Sequence, residues 1–573
     1  MADNNGGKEK VGGRRKNRDM GRNEWSRQPL DKRERLEREN EAKRRRVENG
    51  EAGALPIYAT QFSPEEIANE ERRPKKKVAL LLGYSGTGYS GMQLNSDRKT
   101  IEGDLFAALV SAGAISKANA SDPKKSSFVR CARTDKGVHA AGNVVSLKMI
   151  VEDEDIIKKV NGFLSPQIRL WGYELTTSSF SCYNLCDSRI YEYLMPSHCL
   201  LPPHPSTFMG RKIVEYAKKE GDLETVLSRQ EEVAGYWEQV DEEYIKPILE
   251  KLPEDIREVV EQSLFAKEEE EAVSKNGNDE PAPKAEAEAP APKETSDVST
   301  DAEPFVMDPR QKLIVDTIKA IKAAYASARR TYRAPPPRIA RLQECLDQYV
   351  GTRNFHNYTI QKTFKDPSAK RQIKSFKVNP TPIVINGTEW LSLKVHGQSF
   401  MMHQIRKMVA MAVMITRSGC THTRISESYS SDRVAIPKAP SLGLLLERPI
   451  FDSYNAKAAT LERQPVAFDK FTKEMEEFKQ REIYDRIFRE EEQTSAFGNF
   501  FNHIDHYPAG YFLYVTSGGL QATKQANVAP AGADRRPGDE SKPISKDKGK
   551  SQNDALAAVE AESDDEENPT EDS

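Results

Sequence analysis

The chain has 573 residues, of which 37% are hydrophobic and 30% charged, and its mean hydropathy of -0.70 is low for a chain packed throughout. No stretch approaches the roughly 18 to 20 apolar residues of a membrane helix, and the opening MADNNGGKEK lacks a signal peptide's apolar core, which argues against a membrane-spanning or conventionally secreted protein. Six irregularly spaced cysteines form no dense disulfide framework and fit a reducing compartment.

The formal net charge of -3 averages over blocks of opposite sign. Residues 1–50 carry 16 Lys or Arg against 10 Asp or Glu with few large apolar residues, so 1–73 reads as a basic, disordered arm. Its basic groups at 14–16 and 43–46 suit a nuclear localisation signal bound by an import receptor, although DKRERLERENEAKRRRVE also suits a solvated helix.

Residues 74–204 carry strand and helix patterns. KKKVALLLGY reads as a buried strand, and KTIEGDLFAALVSAGA as a helix capped by Thr100. SSFVRCART, NVVSLKMI, IRLWGYELT and SRIYEYLM read as further strands. Residues 205–310 form an acidic insertion: within it, 221–310 hold 26 acidic and 9 basic residues, and 268–303 read as flexible linker.

Residues 311–455 resume the pattern, with a helix at RIARLQECLDQYVG and strands flanking the hairpin-favouring Asn386-Gly387. A helix over FMMHQIRKMVAMAVMITRSG follows, ended by Gly419. Residues 311–410 hold 18 basic and 5 acidic residues interleaved with aromatics, the pattern of a polyanion-binding face. Residues 456–515 have the spacing of an amphipathic helical extension packed on the core, and 516–573 read as a disordered acidic tail. Antiparallel strands mixed with a few helices in each half indicate an α+β fold.

Three segments carry candidate chemistry. In RCARTDKGVHAAGN, Asp135 stands between Arg133 and Lys136; it suits an ordinary turn, but the two cations would also keep it ionised as a nucleophile and could contact phosphate. In SRIYEYLMP, Tyr191 and Tyr193 share a strand face, either as core tyrosines or as a platform for a base. In the methionine-rich helix, Arg406 has apolar neighbours one turn away at Met402 and Ala410 and needs a carboxylate partner. Cys182, Cys186, His198 and Cys199 place four zinc-ligating side chains within 18 residues, but a strand runs through them and no CxxC pair is present, so structural zinc is the lesser reading. Walker A, GxGxxG and HExxH motifs are lacking.

The motifs YSGTGYSGMQLN, KTIEGDL, RTDKGVHAAGNVVSLK, FSCYNLCDSRIYEY, GTRNFHNYT, FMMHQIRKM and APSLGLLLERP, in this order, closely resemble the TruA family of tRNA pseudouridine synthases, particularly its fungal nuclear multisite branch. The resemblance implies two ferredoxin-like α/β halves joined into one mixed sheet around a basic cleft, and isomerisation of uridine to pseudouridine with no cofactor. It implies Asp135 as nucleophile and Arg133 as the residue filling the gap left by the flipped uridine. Tyr191 would stack on the uracil and help remove the proton from carbon 5, and Arg406 would pair with the aspartate. Tyr183 stands where many bacterial members have Arg, which bears on a substrate contact.

Lys136, Phe355, His356, Lys362, Lys370, Arg371, Arg329 and Arg330 are the expected RNA-contacting residues. The expected partners are tRNA, with small nuclear RNA and messenger RNA as further substrates, and the expected state is a nuclear monomer. A same-fold synthase for other anticodon-arm uridines and a non-catalytic RNA-binding protein are the alternatives.

Overall fold

The computed structural model describes residues 56–261, 308–360 and 362–526. The basic groups at 14–16 and 43–46, the linker expected over 268–303 and the acidic run after 551 lie outside the described residues.

Ten strands of the described residues form one sheet: β1 (Lys75–Tyr84), β2 (Val129–Arg130), β3 (His139–Ile150), β4 (Ile168–Leu175), β5 (Ser188–Pro196), β6 (Gly351–Asn354), β7 (Lys370–Val378), β8 (Ile383–Ile385), β9 (Thr388–Gly397) and β10 (Leu444–Ile450). The order is β4-β1-β3-β10-β5-β9-β7-β6, with β2 paired to β3 and β8 to β9. Residues 78–84 of β1 are buried without alternation, as a strand covered on both faces requires. Asn386 and Gly387 take positive φ values of 48° and 81°, so Ile385 pairs with Thr388 across a tight turn.

The pairing of β10 with β3 is parallel, while the other pairings are antiparallel. Strand β10, from residues 311–455, is therefore inserted between two strands of residues 74–204, β3 and β5. Leu446 pairs with Ala140 on one side and Tyr191 on the other. At about 4.8 Å per strand spacing, Tyr191 lies roughly 10 Å across the sheet from Ala140.

Two helices were anticipated in part. Thr100 caps the helix Ile101–Ser111 by accepting the Gly103 N–H at 3.2 Å. The methionine-rich helix begins only at Gln404, because His403 has a left-handed backbone (φ 58°), and Gly419 (φ 66°) ends it. Met402 consequently lies outside the helix and is exposed, so it does not form the apolar face expected beside Arg406.

The acidic insertion carries helices, and so does the start of the segment that follows it. Thr207 caps the helix Phe208–Glu220, and Pro309–Thr331 forms a 23-residue helix. Ile314, Ile318 and Ile321 of the latter pack in a small core with Ile245, Ile256 and Val260. Their helical spacing was visible, but it is diluted by charged neighbours. Likewise, Ser63 and Glu66 form a capping box before the helix Pro64–Ala68, inside the arm expected to lack structure. Gly519–Ala526 is helical beyond the expected end of the extension.

The helices Thr472–Phe478, Asp485–Thr494 and Ala496–His506 contribute Met475, Phe488 and Phe497 to the main core. Strand alternation sends Glu192 to the face opposite Tyr191. There it accepts the Tyr484 hydroxyl at 2.7 Å, bonds to Ser392, and lies 3.5 Å from the buried Lys479. Burial raises the Glu192 carboxyl, but the Lys479 charge and these hydrogen bonds outweigh it and hold it below its ordinary value. Glu192→Ala should lower unfolding stability by about 3 kcal/mol, measured by urea denaturation, because it strips partners from a buried ammonium. Loss of under about 1 kcal/mol would show that Glu447 and Glu476 suffice for Lys479.

Candidate active site

Asp135 lies on the loop between β2 and β3, and the preceding YSGTGYSGM segment fixes that loop. The Tyr84 hydroxyl and Thr134 Oγ1 are 2.8 Å apart, and the Met92 N–H donates to the Thr134 carbonyl at 3.1 Å. Gly86 and Gly91 permit the close approach. A Cβ on Gly86 would stand 2.3 Å from the Val138 carbonyl oxygen, and one on Gly91 2.8 Å from that of Thr134. His139, at the start of β3, accepts the Gly86 N–H at Nδ1 (3.1 Å), which places its proton on Nε2. Burial and the Arg486 charge push this imidazole down to about 4, so it is neutral.

The Asp135 carboxylate is 34% exposed and faces the N-terminal end of the helix Gln404–Ser418, where His403 Nδ1 lies 3.4 Å from its Oδ2. Burial raises the carboxyl, yet the His403 interaction, Arg406 and Lys438 together hold it below its ordinary value. It is therefore an anion at neutral pH. Arg406 is 1% exposed and donates from Nε to the Ala439 carbonyl at 2.5 Å. Lys407 donates to the Ile436 carbonyl at 2.8 Å, so the first helical turn grips the segment that carries Lys438.

Tyr191 of β5 is 8% exposed, and its ring meets Phe400 edge to face at 5.3 Å. Burial, with the Asp135 charge, raises its phenol despite Arg189. Arg189, two residues earlier, donates to the Cys131 carbonyl at 3.1 Å and the Gln398 carbonyl at 3.3 Å, tying three segments of the site together. Asp135, Tyr191 and Arg406 thus converge from a loop, a strand and a helix. Lys438 and Arg189 were not singled out in the sequence. Arg189 could have been found from its i−2 position on the Tyr191 strand face.

The surface candidates are scattered. Arg133 and Lys136 are exposed beside Asp135. Lys362 is bound to Asp366 at 2.9 Å, Lys370 is exposed, and Arg371 donates to the Lys370 carbonyl at 2.9 Å. Phe355 is fully buried against Tyr358 and Tyr429, so it is a core residue rather than an RNA contact; His356 is buried as well. Arg329 and Arg330 line a cavity at the far end of the methionine-rich helix.

The zinc pattern is not realised among the described residues, where no group of three or more ligating side chains assembles. The Cys182 thiol donates to the Val129 carbonyl at 3.1 Å, and Cys186 interacts with Cys131. The nine residues of β5, about 30 Å of extended chain, separate this pair from His198 and Cys199.

Residues 346–452 match the family described as tRNA pseudouridine synthase. The chain is 45% identical over 443 residues to tRNA pseudouridine synthase 1 of Yarrowia lipolytica, covering 77% of this chain and 76% of the relative. It is 41% identical over 491 residues to tRNA pseudouridine synthase 1 of Schizosaccharomyces pombe, covering 82% and 90%. It is 33% identical over 428 residues to the tRNA pseudouridine(27/28) synthase of Saccharomyces cerevisiae, covering 74% and 98%.

Because His403 contributes most to lowering the Asp135 carboxyl, His403→Asn, which tolerates the left-handed backbone, should raise its titration midpoint in carbon-13 NMR of labelled aspartate. An unmoved midpoint would assign the lowering to Arg406 and Lys438.

Proposed function

The chain belongs to the tRNA pseudouridine synthase family, and from that premise we propose that Asp135 is the nucleophile that isomerises uridines flipped into the pocket beside Tyr191. The observation that carries this reading is the half-exposed, ionised Asp135 beside a buried arginine and a buried tyrosine ring. The reaction breaks the bond from ribose to uracil nitrogen 1, turns the base and rejoins it through carbon 5, without net oxidation or hydrolysis. An anionic carboxylate suits attack on the anomeric carbon or on carbon 6 of the ring, and equally suits assisting elimination. The reading calls on no cofactor.

Flipping costs a few kcal/mol. Stacking on Tyr191 and insertion of Arg133, exposed two residues before Asp135, offset it. Since burial keeps the Tyr191 phenol protonated, its contribution is stacking and acceptance of a hydrogen bond as a neutral oxygen. Removal of the carbon 5 proton by a phenolate would first require an uphill ionisation.

The finer architecture is two ferredoxin-like halves joined into one mixed sheet, with a C-terminal helical extension and a basic cleft supplied by the 311–410 surplus. The substrate is tRNA, with small nuclear RNA and messenger RNA as further substrates. Action at several sites is favoured over restriction to 27/28, because identity is 41–45% to the synthase 1 relatives quoted and 33% to the 27/28 relative. A non-catalytic RNA-binding role would leave the assembly around Asp135 without a purpose. The protein is a nuclear monomer, imported through its basic arm.

Tritium release from unmodified tRNA labelled at uracil carbon 5 tests the chemistry. Asp135→Asn should abolish release while keeping tRNA affinity within about tenfold of wild type. Persistent release would remove Asp135 from the reaction, and loss of binding would give it a structural role. A fluorescent fusion lacking residues 1–50 should spread to the cytoplasm; undiminished nuclear accumulation would place the import signal elsewhere.

A further inference from the structure

A cavity of about 640 Å³ lies at the other end of the helix Gln404–Ser418 from Asp135. Arg417 lines it, 14 residues beyond His403, or about 21 Å along the axis. Its walls also come from the segment after β5, the helix Pro309–Thr331 and the C-terminal helices. The volume falls in the range of small-ligand sites.

The charges lining this cavity do not balance. Arg417 forms a bidentate pair with Asp505 at 2.8 and 2.7 Å, and Arg330 lies 3.9 Å from Glu492. No described carboxylate lies at ion-pair distance from the remaining cations, Lys322 and Arg329. Arg329 is half-buried and held over the Trp237 ring at 5.7 Å, which fixes its guanidinium. Burial, reinforced by the Arg417 charge, keeps it below its ordinary value despite Asp505.

The nearby acid does not compensate. Burial lifts the Glu491 carboxyl to about 8 against the backbone N–H groups that favour its charged form, so it is largely uncharged at pH 7. His198 is driven down to about 3 by burial, Arg329 and Arg417, and adds no charge. A fixed guanidinium with a planar fork of donors, facing space and lacking a carboxylate, matches the two oxygens of a phosphate.

We propose that this cavity binds a small phosphate-bearing anion, with Arg329 as its bidentate anchor and Lys322 as a second cation. The ligand is a free inorganic or nucleoside polyphosphate; a phosphate of bound RNA is the other source of the same chemistry. The site is separate from the isomerisation site and does not depend on the assignment of Asp135.

Isothermal titration of the full-length protein with inorganic pyrophosphate tests the proposal. Saturable binding is expected, weakened at least about tenfold by Arg329→Gln and several-fold by Lys322→Gln, and unchanged by saturating unmodified tRNA. The exposed Lys322 supplies a readable variant should Arg329→Gln fail to fold. Absence of saturable binding, or equal affinity in wild type and both variants, would overturn the site. Displacement by tRNA would assign the cavity to RNA and overturn the free anion as ligand.

Discussion

The site depends on where β10 inserts. Residues 444–450 lie between β3 and β5, and without that strand the Asp135 loop and Tyr191 would share no common frame. Leu446 sets the register on both sides at once, towards Ala140 and Tyr191. Strand spacing is nearly invariant, so the distance between the carboxylate loop and the aromatic ring is set by hydrogen-bond geometry rather than by flexible side chains.

Within that frame, electrostatics and steric fit divide the work. Asp135 loses solvent but gains the His403 interaction and the Arg406 and Lys438 charges, and the balance favours the anion. Tyr191 loses solvent and lies near Asp135, whose negative charge opposes ionisation, so its proton is retained. Two adjacent groups are thereby driven in opposite directions, the usual sign that roles at a site have been separated. The backbone beneath them is held by contacts too close for a Cβ at Gly86 and Gly91, so these glycines serve the carboxylate without touching it.

Much of this was legible in the sequence because it is local. Strand boundaries follow apolar runs, Thr100 and Gly419 mark helix ends, and Asn386-Gly387 marks a turn. Asp135 stood out by its flanking cations, Tyr191 by strand alternation and Arg406 by helical spacing, whereas the roles expected of them came from the ordered motifs. What escaped is non-local or conformational. The left-handed His403 shortens a helix that propensity alone would extend to Phe400, and only this shift brings its ring to Asp135. Lys438 acts through a segment bound by Arg406 and Lys407, a contact without sequence spacing of its own. Phe355 reads as an aromatic within a basic run, yet Tyr349, Tyr358 and Tyr429 enclose it. Composition left 208–260 unassigned, where acidic residues lie on helices that bury only a narrow apolar stripe.

The late position of β10 in the chain also constrains the order of assembly. During synthesis, β3 and β5 are complete 294 and 248 residues before the first residue of the strand that must pair with both. Until then each has an open edge, and the sheet cannot close by hairpin formation between neighbours. Such a topology has high contact order and exposes strand edges for the time needed to translate the second half. A ribosome-bound chain therefore keeps those edges open until the last strand arrives, and it acquires a complete site only once residue 450 has emerged.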